Sequence, residues 1–360
     1  MSVLALHRRG RTGAPRPPAG LALAVLGMVL IAAMALALTV GAAGIPLSRL
    51  PAALGLSGAA ADPVTTRDQL VLWSIRMPRI LTAAIVGSLL AAAGALMQGL
   101  FRNPLADPAL VGVSSGGAFG AAASIVFLEH VLGPLLRGLQ EYLLAFAAFA
   151  GSLVTTILLY RIASRSGRTS IALFLLAGLA IAAIANAGLG VLVFVADDRQ
   201  LRDITFWMLG SLSGANWPKT ASTASVLLIA LLVLQRLAGR LDLLVLGETE
   251  AYHSGVDVER LKRVTIVLVS AMAGVAVAVA GVVGFVGIVV PHLLRLVIGP
   301  SHRLLLPASA CLGAVMLLIA DTVARTIVAP AEMPIGILTA AIGAPFFLAI
   351  LLRQRKLVGP

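Results

Sequence analysis

The chain has 360 residues, of which 59% are hydrophobic and only 12% charged, and its mean hydropathy is +1.02. A soluble globular domain is typically about 25% charged, so this composition excludes one and predicts an all-α protein embedded in the lipid bilayer. The formal net charge is +12. The basic residues lie at the termini and in short loops, where they set membrane topology, so a nucleic-acid partner is not expected.

The chain begins with a basic head. Residues 1–19 carry four arginines, and we predict that they form a disordered, cytoplasmic N-terminus. An uncharged run follows at 17–48. The apolar core of a signal peptide is only about 7–15 residues long, so this run predicts the first transmembrane helix.

Eight further uncharged runs are long enough to cross a membrane. They are 80–101, 108–128, 142–160, 169–196, 220–235, 264–294, 304–320 and 333–352. A basic C-terminal tail, 354–360, predicts that both termini are cytoplasmic and therefore that the number of crossings is even. As one helix, 264–294 would be about 46 Å long against a hydrocarbon core of about 30 Å. It contains three glycines in 281–287, so we predict that it turns there and that 20–353 forms a ten-helix membrane domain.

The loops sort by charge in this topology. Basic loops, including 236–263, fall on the cytoplasmic side, and loops at 44–79, 129–141, 197–219 and 321–332 fall outside. The cytoplasmic segment 241–263 predicts two short helices that break at Gly247 and Gly255. Neither it nor the rest of the chain carries a phosphate-binding loop or a metal-ligand cluster, so we expect no catalytic site and no metal site.

Ionisable residues are scarce inside the predicted spans. Carriers that run on proton or sodium gradients usually hold acids or histidines at membrane depth. Here Asp107 precedes a helix, where N-capping explains it, and Asp321 lies near a helix end. The pattern therefore favours a transporter driven by a partner protein over a gradient-driven carrier or channel, which remains an alternative. A membrane scaffold without transport would not explain the polar Gly/Ser segments at membrane depth.

Six sequence blocks carry a family resemblance. They are RMPR at 76–79, GALMQGLFRNPLADPALVGVSSGGAFG at 94–120, FWMLGSLSGANW at 206–217, GETEAYHSGVDVERLKR at 247–263, GFVGIVVPHLLRL at 284–296 and MPIGILTAAIGAPFF at 333–347. Together they resemble the iron-complex/vitamin B12 (FecCD-type) permeases of bacterial ABC importers. The resemblance implies a type II importer permease in the inner membrane. It also implies a homodimer with an axial translocation path, two cytoplasmic ATPase subunits and a periplasmic binding protein.

The resemblance also implies roles for particular residues. Arg76, Arg79 and Arg325 match the arginines that dock the binding protein, although snorkelling anchors at helix ends are the alternative explanation. The cytoplasmic segment 241–263 matches the family's coupling segment, and the resemblance implies ATPase contacts there at Leu246, Gly247, Glu248, Gly255, Val256 and Arg260. The translocation path corresponds to 103–120, with Ser114, Ser115 and Gly116, and to 202–214, with Arg202 and Met208.

The substrate is a narrower question. The sequences around Arg202, Tyr252 and Pro334 resemble the haem-importing subgroup, which predicts haem as cargo, with no resident cofactor. An Arg202 from each subunit would suit the two carboxylates of haem. The alternative for Arg202 is a local ion pair with Asp198 or Asp203 instead of contact with the cargo. The alternative for Met208 is packing, the usual role of methionine in a membrane helix. Ferric siderophore and cobalamin remain alternative cargoes.

Overall fold

A computed structural model describes residues 17–41, 45–46, 48–56, 63–108, 112–128, 140–165 and 168–358. The predicted disordered head lies outside these residues except for 17–19, as do most of the predicted outer loop 129–141 and the last two residues of the tail. The described chain is helical apart from a two-residue antiparallel hairpin, β1 (Ser164–Arg165) with β2 (Arg168–Thr169).

The helices are numbered in chain order. They are α1 (Ala19–Thr39), α2 (Leu50–Ala53), α3 (Pro63–Leu70), α4 (Met77–Phe101), α5 (Val113–Ala123), α6 (Gln140–Ala163), α7 (Ile171–Val195), α8 (Asp198–Met208), α9 (Trp217–Leu246), α10 (Glu248–His253), α11 (Val258–Ala280), α12 (Val286–Ile298), α13 (His302–Ala324) and α14 (Ile335–Val358). Two π-helical segments, Val71–Arg76 and Ser124–Leu128, join α3 to α4 and extend α5.

The described residues contain ten apolar helical segments. Seven are long and apolar enough to cross a membrane, and three more, Val113–Phe127, Val286–Ile298 and Ile335–Ala349, are shorter. The predicted division of 264–294 is confirmed, because α11 ends at Ala280 and α12 begins at Val286. Gly281 (φ 68°) and Phe285 (φ 67°) both take left-handed backbone conformations at this break.

Helix α4 is the centre of the bundle. Its side chains are buried almost throughout, and it packs against α13, α9, α11 and α12. Gly87 of α4 and Gly313 of α13 meet backbone to backbone, and a Cβ on either residue would collide with the carbonyl oxygen of the other. Lipid-embedded helices gain packing energy from such close approaches of small residues. The long apolar run after Arg79 is therefore a packing helix.

The segment that the sequence predicts to be cytoplasmic differs from the prediction in two ways. Helix α9 continues through Leu246, so the first part of the predicted loop 236–263 is helical. Leu237, Leu241 and Leu244 are buried at helical spacing there, and this apolar stripe keeps the helix on the bundle despite the charges between them. The second predicted short helix is not separate, because 258–263 forms the first turns of α11.

Candidate functional site

A buried ionic cluster lies where α4 begins and α13 ends. The Arg79 guanidinium bridges two carboxylates: its Nη2 lies 2.9 Å from Asp321 Oδ1, and its Nη1 lies 2.9 Å from Glu332 Oε1. Arg325 Nε lies 3.1 Å from Asp321 Oδ2, so Asp321 binds two arginines at once. The side chain of Asp321 is only 2% exposed, whereas that of Glu332 is 42% exposed.

Arg76 adjoins the same cluster. It is buried and donates a hydrogen bond to the carbonyl of Leu38, at the end of α1. A Cβ on Gly41 would lie 3.3 Å from Arg76 Nη2 and 3.3 Å from Arg325 Nη1. The structure therefore brings together all three arginines that the sequence selected for docking, but in this chain they are buried. Their docking role stays a prediction.

Sequence reasoning missed the acids of this cluster. Asp321 was interpreted only as a residue near a helix end, and Glu332 was not selected. One local signal was available, because Asp321 and Arg325 stand four residues apart, the spacing that brings side chains together on a helix. Burial lowers the pKa of Arg325 and the charge of Asp321 acts against that shift. The guanidinium remains protonated in either case.

A second buried charge, Lys262, holds the coupling segment to the bundle. Its Nζ lies 2.8 Å from Glu248 Oε2 and 3.1 Å from Glu259 Oε1, and it donates to the carbonyl of Thr169. Glu259 in turn accepts a hydrogen bond from the Thr169 backbone N–H. Helix α10, the start of α11 and the hairpin after α6 are therefore tied at one point. The sequence singled out Glu248 but not Lys262.

The selected coupling residues divide into packed and exposed groups. Gly247 (φ 139°) and Gly255 (φ 85°) stand at the two ends of α10, in backbone conformations that favour glycine. Val256 is buried. Leu246 is 69% exposed and Tyr252 is 70% exposed. On the same segment Glu248 is half-buried and Arg260 is exposed. The ATPase contact of this segment stays a prediction.

Helix α8 carries the predicted path residue Arg202. The Asp197 side chain caps the helix by accepting hydrogen bonds from the N–H groups of Arg199 and Gln200. The Gln200 side-chain oxygen in turn accepts a hydrogen bond from the Asp197 N–H. Arg202 is exposed and makes no hydrogen bond or ion pair with any residue that the structure describes. It is Arg199 that pairs with Asp203, at 3.8 Å. Met208 is exposed at the end of the same helix.

The predicted path residues on α5 are less accessible. Ser114 and Ser115 are half-buried, and Ser115 donates to the Gly112 carbonyl. Gly116 is buried, and a Cβ there would collide with Thr155 of α6. Helix packing alone accounts for the glycine at 116. The path role of all three residues stays a prediction.

No metal centre is formed by the described residues, since none of their His, Cys, Asp and Glu side chains cluster in groups of three or more.

The comparison with known families settles the class of protein. The model of the FecCD transport family matches residues 29–353. The chain belongs to this family. It is 46% identical to the hemin transport system permease protein HmuU of Yersinia pestis over 335 residues, which cover 92% of this chain and 96% of that protein. It is 44% identical to the cobalamin import system permease protein BtuC of Halobacterium salinarum, over 80% of this chain and 74% of that protein.

Solved structures agree on the fold of this FecCD protein. It superposes with a TM-score of 0.79 on a structure described as an inward-facing, metal-chelate type ABC transporter, at 33% identity over 92% of this chain and 98% of the other. A second structure, PsaBC from Streptococcus pneumoniae bound to a Fab, has a TM-score of 0.52 at 19% identity and shares the fold alone. The protein is therefore a membrane protein with the fold of an ABC transporter permease, as the resemblance implied.

Proposed function

We propose that this protein is the membrane subunit of an ATP-driven haem importer. One observation carries the choice of haem: the identity to the hemin permease extends over nearly the whole of both chains, whereas the similarity to the archaeal cobalamin permease covers less of each. The protein passes the cargo through the membrane and leaves ATP hydrolysis to a separate subunit.

The proposed assembly is a homodimer in the bacterial inner membrane, with both termini cytoplasmic, two ATPase subunits below and a periplasmic binding protein above. The exposed Leu246 and Tyr252 support an ATPase contact at the coupling segment. Because Lys262 ties this segment to α11 and to the hairpin between α6 and α7, a displacement of α10 by the ATPase would be transmitted to membrane helices.

The ionic cluster would receive the binding protein. An incoming carboxylate can reach Arg79 by replacing Glu332, which is the more exposed of its two partners. Asp321 would stay in place, because it is buried and also holds Arg325. Docking would then exchange one ion pair for another, and arginine forms such bidentate pairs well with any carboxylate.

The path would run past α8. Arg202 is exposed and without an ion pair among the described residues, so its guanidinium is available to a haem carboxylate. Two subunits would present two such groups, which suits a cargo with two propionates. Weak, transient pairing is expected, since a transporter must release what it carries.

Reconstitution tests the proposal. The protein is assembled in liposomes with its ATPase and binding protein, and uptake is measured for haem, a ferric siderophore and cobalamin. We expect ATP-dependent uptake of haem alone. Uptake of siderophore or cobalamin without haem would overturn the choice of cargo. Transport by the permease alone under a pH or sodium gradient would overturn the ATP-driven mechanism.

A further inference from the structure

A basic groove runs between the last turns of α9 and the first turns of α13, with a volume of about 890 Å³. Its rim carries Arg236, Arg240 and Arg303, and its deeper wall includes Leu231, Leu234 and Leu306. We propose that this groove binds an anionic phospholipid, with the phosphate held by the arginines and one acyl chain lying along the leucines. The site is separate from the docking cluster and from the predicted path, and it adjoins the coupling segment at Leu246, which also lines the groove.

The charges of the groove are unbalanced. All three arginines are exposed, and none of them pairs with any residue that the structure describes. The one acid among the lining residues, Asp242, is already engaged: its carboxylate accepts from the His302 N–H at 2.8 Å, from His302 Nδ1 at 2.7 Å and from Ser301 Oγ at 3.1 Å. The groove therefore presents three arginines that have no anionic partner among the residues that the structure describes.

The depth of the groove fits a lipid. Helix α9 has 30 residues and begins at Trp217, a residue type that favours the membrane–water interface. Arg236 follows about 28 Å further along the helix axis, close to the thickness of a hydrocarbon core of about 30 Å. The arginines thus stand at headgroup level on the side proposed above as cytoplasmic. Leu231 lies about 7.5 Å deeper than Arg236 along α9, and Leu306 lies about 4.5 Å deeper than Arg303 along α13, toward the acyl chains.

The walls of the groove are held in place. Asp242 on α9 caps the first N–H of α13, so the two helices that form the groove are joined at its mouth. The Arg303 guanidinium lies against Gly239 of α9, since a Cβ built on Gly239 would be 3.4 Å from Arg303 Nη2, an ordinary contact distance. A topological role explains why arginines occur on this side of the membrane. It does not explain why three of them converge on one concave, leucine-lined surface.

Native mass spectrometry of the purified full chain in detergent tests the site. The probes are phosphatidylglycerol, cardiolipin and phosphatidylcholine at equal concentration. We expect the wild-type chain to retain the two anionic lipids in preference to phosphatidylcholine. Each arginine near an anionic headgroup contributes roughly a fivefold gain in affinity, so R236Q/R240Q/R303Q should lose about 100-fold for the anionic lipids.

Three further variants keep the test decisive. R102Q/R161Q/R263Q removes the same charge outside the groove and should retain the lipid; R236K/R240K/R303K keeps the charge and should retain most of it. Leu231→Trp fills the apolar wall, leaves every arginine in place and should weaken binding. Equal loss in the two glutamine triples, or no preference for anionic lipid in the wild type, would overturn the proposal. Unchanged lipid binding in R236Q/R240Q/R303Q with loss of the ATPase from the purified complex would assign the groove to the ATPase instead.

Discussion

Arg79 and Asp321 are 242 positions apart in the sequence, yet their side chains form a buried, bidentate ion pair at 2.9–3.0 Å. This pair joins the start of the central helix α4 to the end of α13. Asp321 also binds Arg325, and Arg79 also binds Glu332. The four residues therefore form one network in which three side chains are buried and only that of Glu332 is more exposed.

Replacing the buried acid should destabilise the fold. In Asp321→Asn, Arg325 loses its carboxylate and Arg79 keeps only Glu332, so buried positive charge is left poorly compensated. Removing one partner of a buried pair typically costs about 3–5 kcal/mol. We expect a loss of this size in the free energy of unfolding, measured by SDS titration in mixed micelles. Glu332→Gln is the control, and an equal loss in that variant would contradict the division of the network.

Glu332→Gln should strengthen docking of the binding protein. The variant removes the carboxylate that competes for Arg79, so the incoming acid no longer has to displace a charged partner. Affinity is measured by surface plasmon resonance on the permease in nanodiscs, and we expect a several-fold lower dissociation constant. Asp198→Asn, which removes an acid elsewhere on the same proposed outer side, is the matched control.

Reversing the charge of an arginine in the same cluster should have the opposite effect on docking affinity. Arg325→Glu or Arg76→Glu should weaken docking, and the difference from wild type should shrink as salt is raised, because salt screens the attraction between these arginines and the acids of an approaching partner. If the charge-reversed variants dock with unchanged affinity, these arginines serve as membrane anchors and not as docking residues.

Lys262→Met should uncouple ATP hydrolysis from transport. The substitution removes the ammonium that joins Glu248, Glu259 and the Thr169 carbonyl, and it frees α10 from the hairpin. We expect ATPase activity of the complex to persist while cargo uptake per ATP falls several-fold in liposomes. Lys262→Arg keeps the charge and should retain more coupling. Full coupling in the methionine variant would show that the clamp is not needed.

Arg202→Ala should slow haem uptake without affecting assembly, because the side chain is exposed and unpaired within the described chain. Arg199→Ala is the control, since Arg199 lies on the same helix and its weak pair with Asp203 is solvent-exposed. Initial uptake rates and the subunit ratio of the purified complex are measured together. Equal rates in the wild type and Arg202→Ala would leave Arg202 without a transport role.

Gly313→Ala should weaken packing between α13 and α4, because the added methyl meets the Gly87 carbonyl. Overpacking of this kind costs about 1–3 kcal/mol, measured by the same SDS titration. Gly27→Ala on α1 is the matched control: no atom lies within 4 Å of the added carbon, and alanine is the better helix former. A comparable loss in both variants would point to a general effect of removing glycine.

Several features of the fold followed from simple rules on the sequence. Hydropathy located the spans, and the length of 264–294 together with its glycines located the break before Phe285. The cytoplasmic position of both termini, from which an even number of crossings was inferred, stays a prediction, while the ten apolar helical segments are present among the described residues. These rules work because lipid leaves the backbone few options other than helices of limited length.

The features that the sequence did not reveal depend on contacts between distant segments. Asp321 and Lys262 each have one partner at helical spacing, Arg325 and Glu259. Their other contacts, with Arg79 and with the Thr169 carbonyl, join distant segments and leave no local sign in the sequence. Helix α9 also continues past its charged residues, because its leucines pack against the bundle. A count of charges along the sequence does not reveal this packing. Hydropathy identifies where a helix meets lipid, but not where it meets protein.

The backbone contact between Gly87 and Gly313 has a mechanical consequence. Two helices that touch without intervening side chains have no room to slide, so α4 and α13 should move as one rigid body through a transport cycle. Changes of shape that open the path to one side and then the other must then arise in segments at the edge of this body, such as α8 and the left-handed break between α11 and α12. Spin labels placed on α4 and α13 should keep their separation throughout the cycle, while labels on α8 should not.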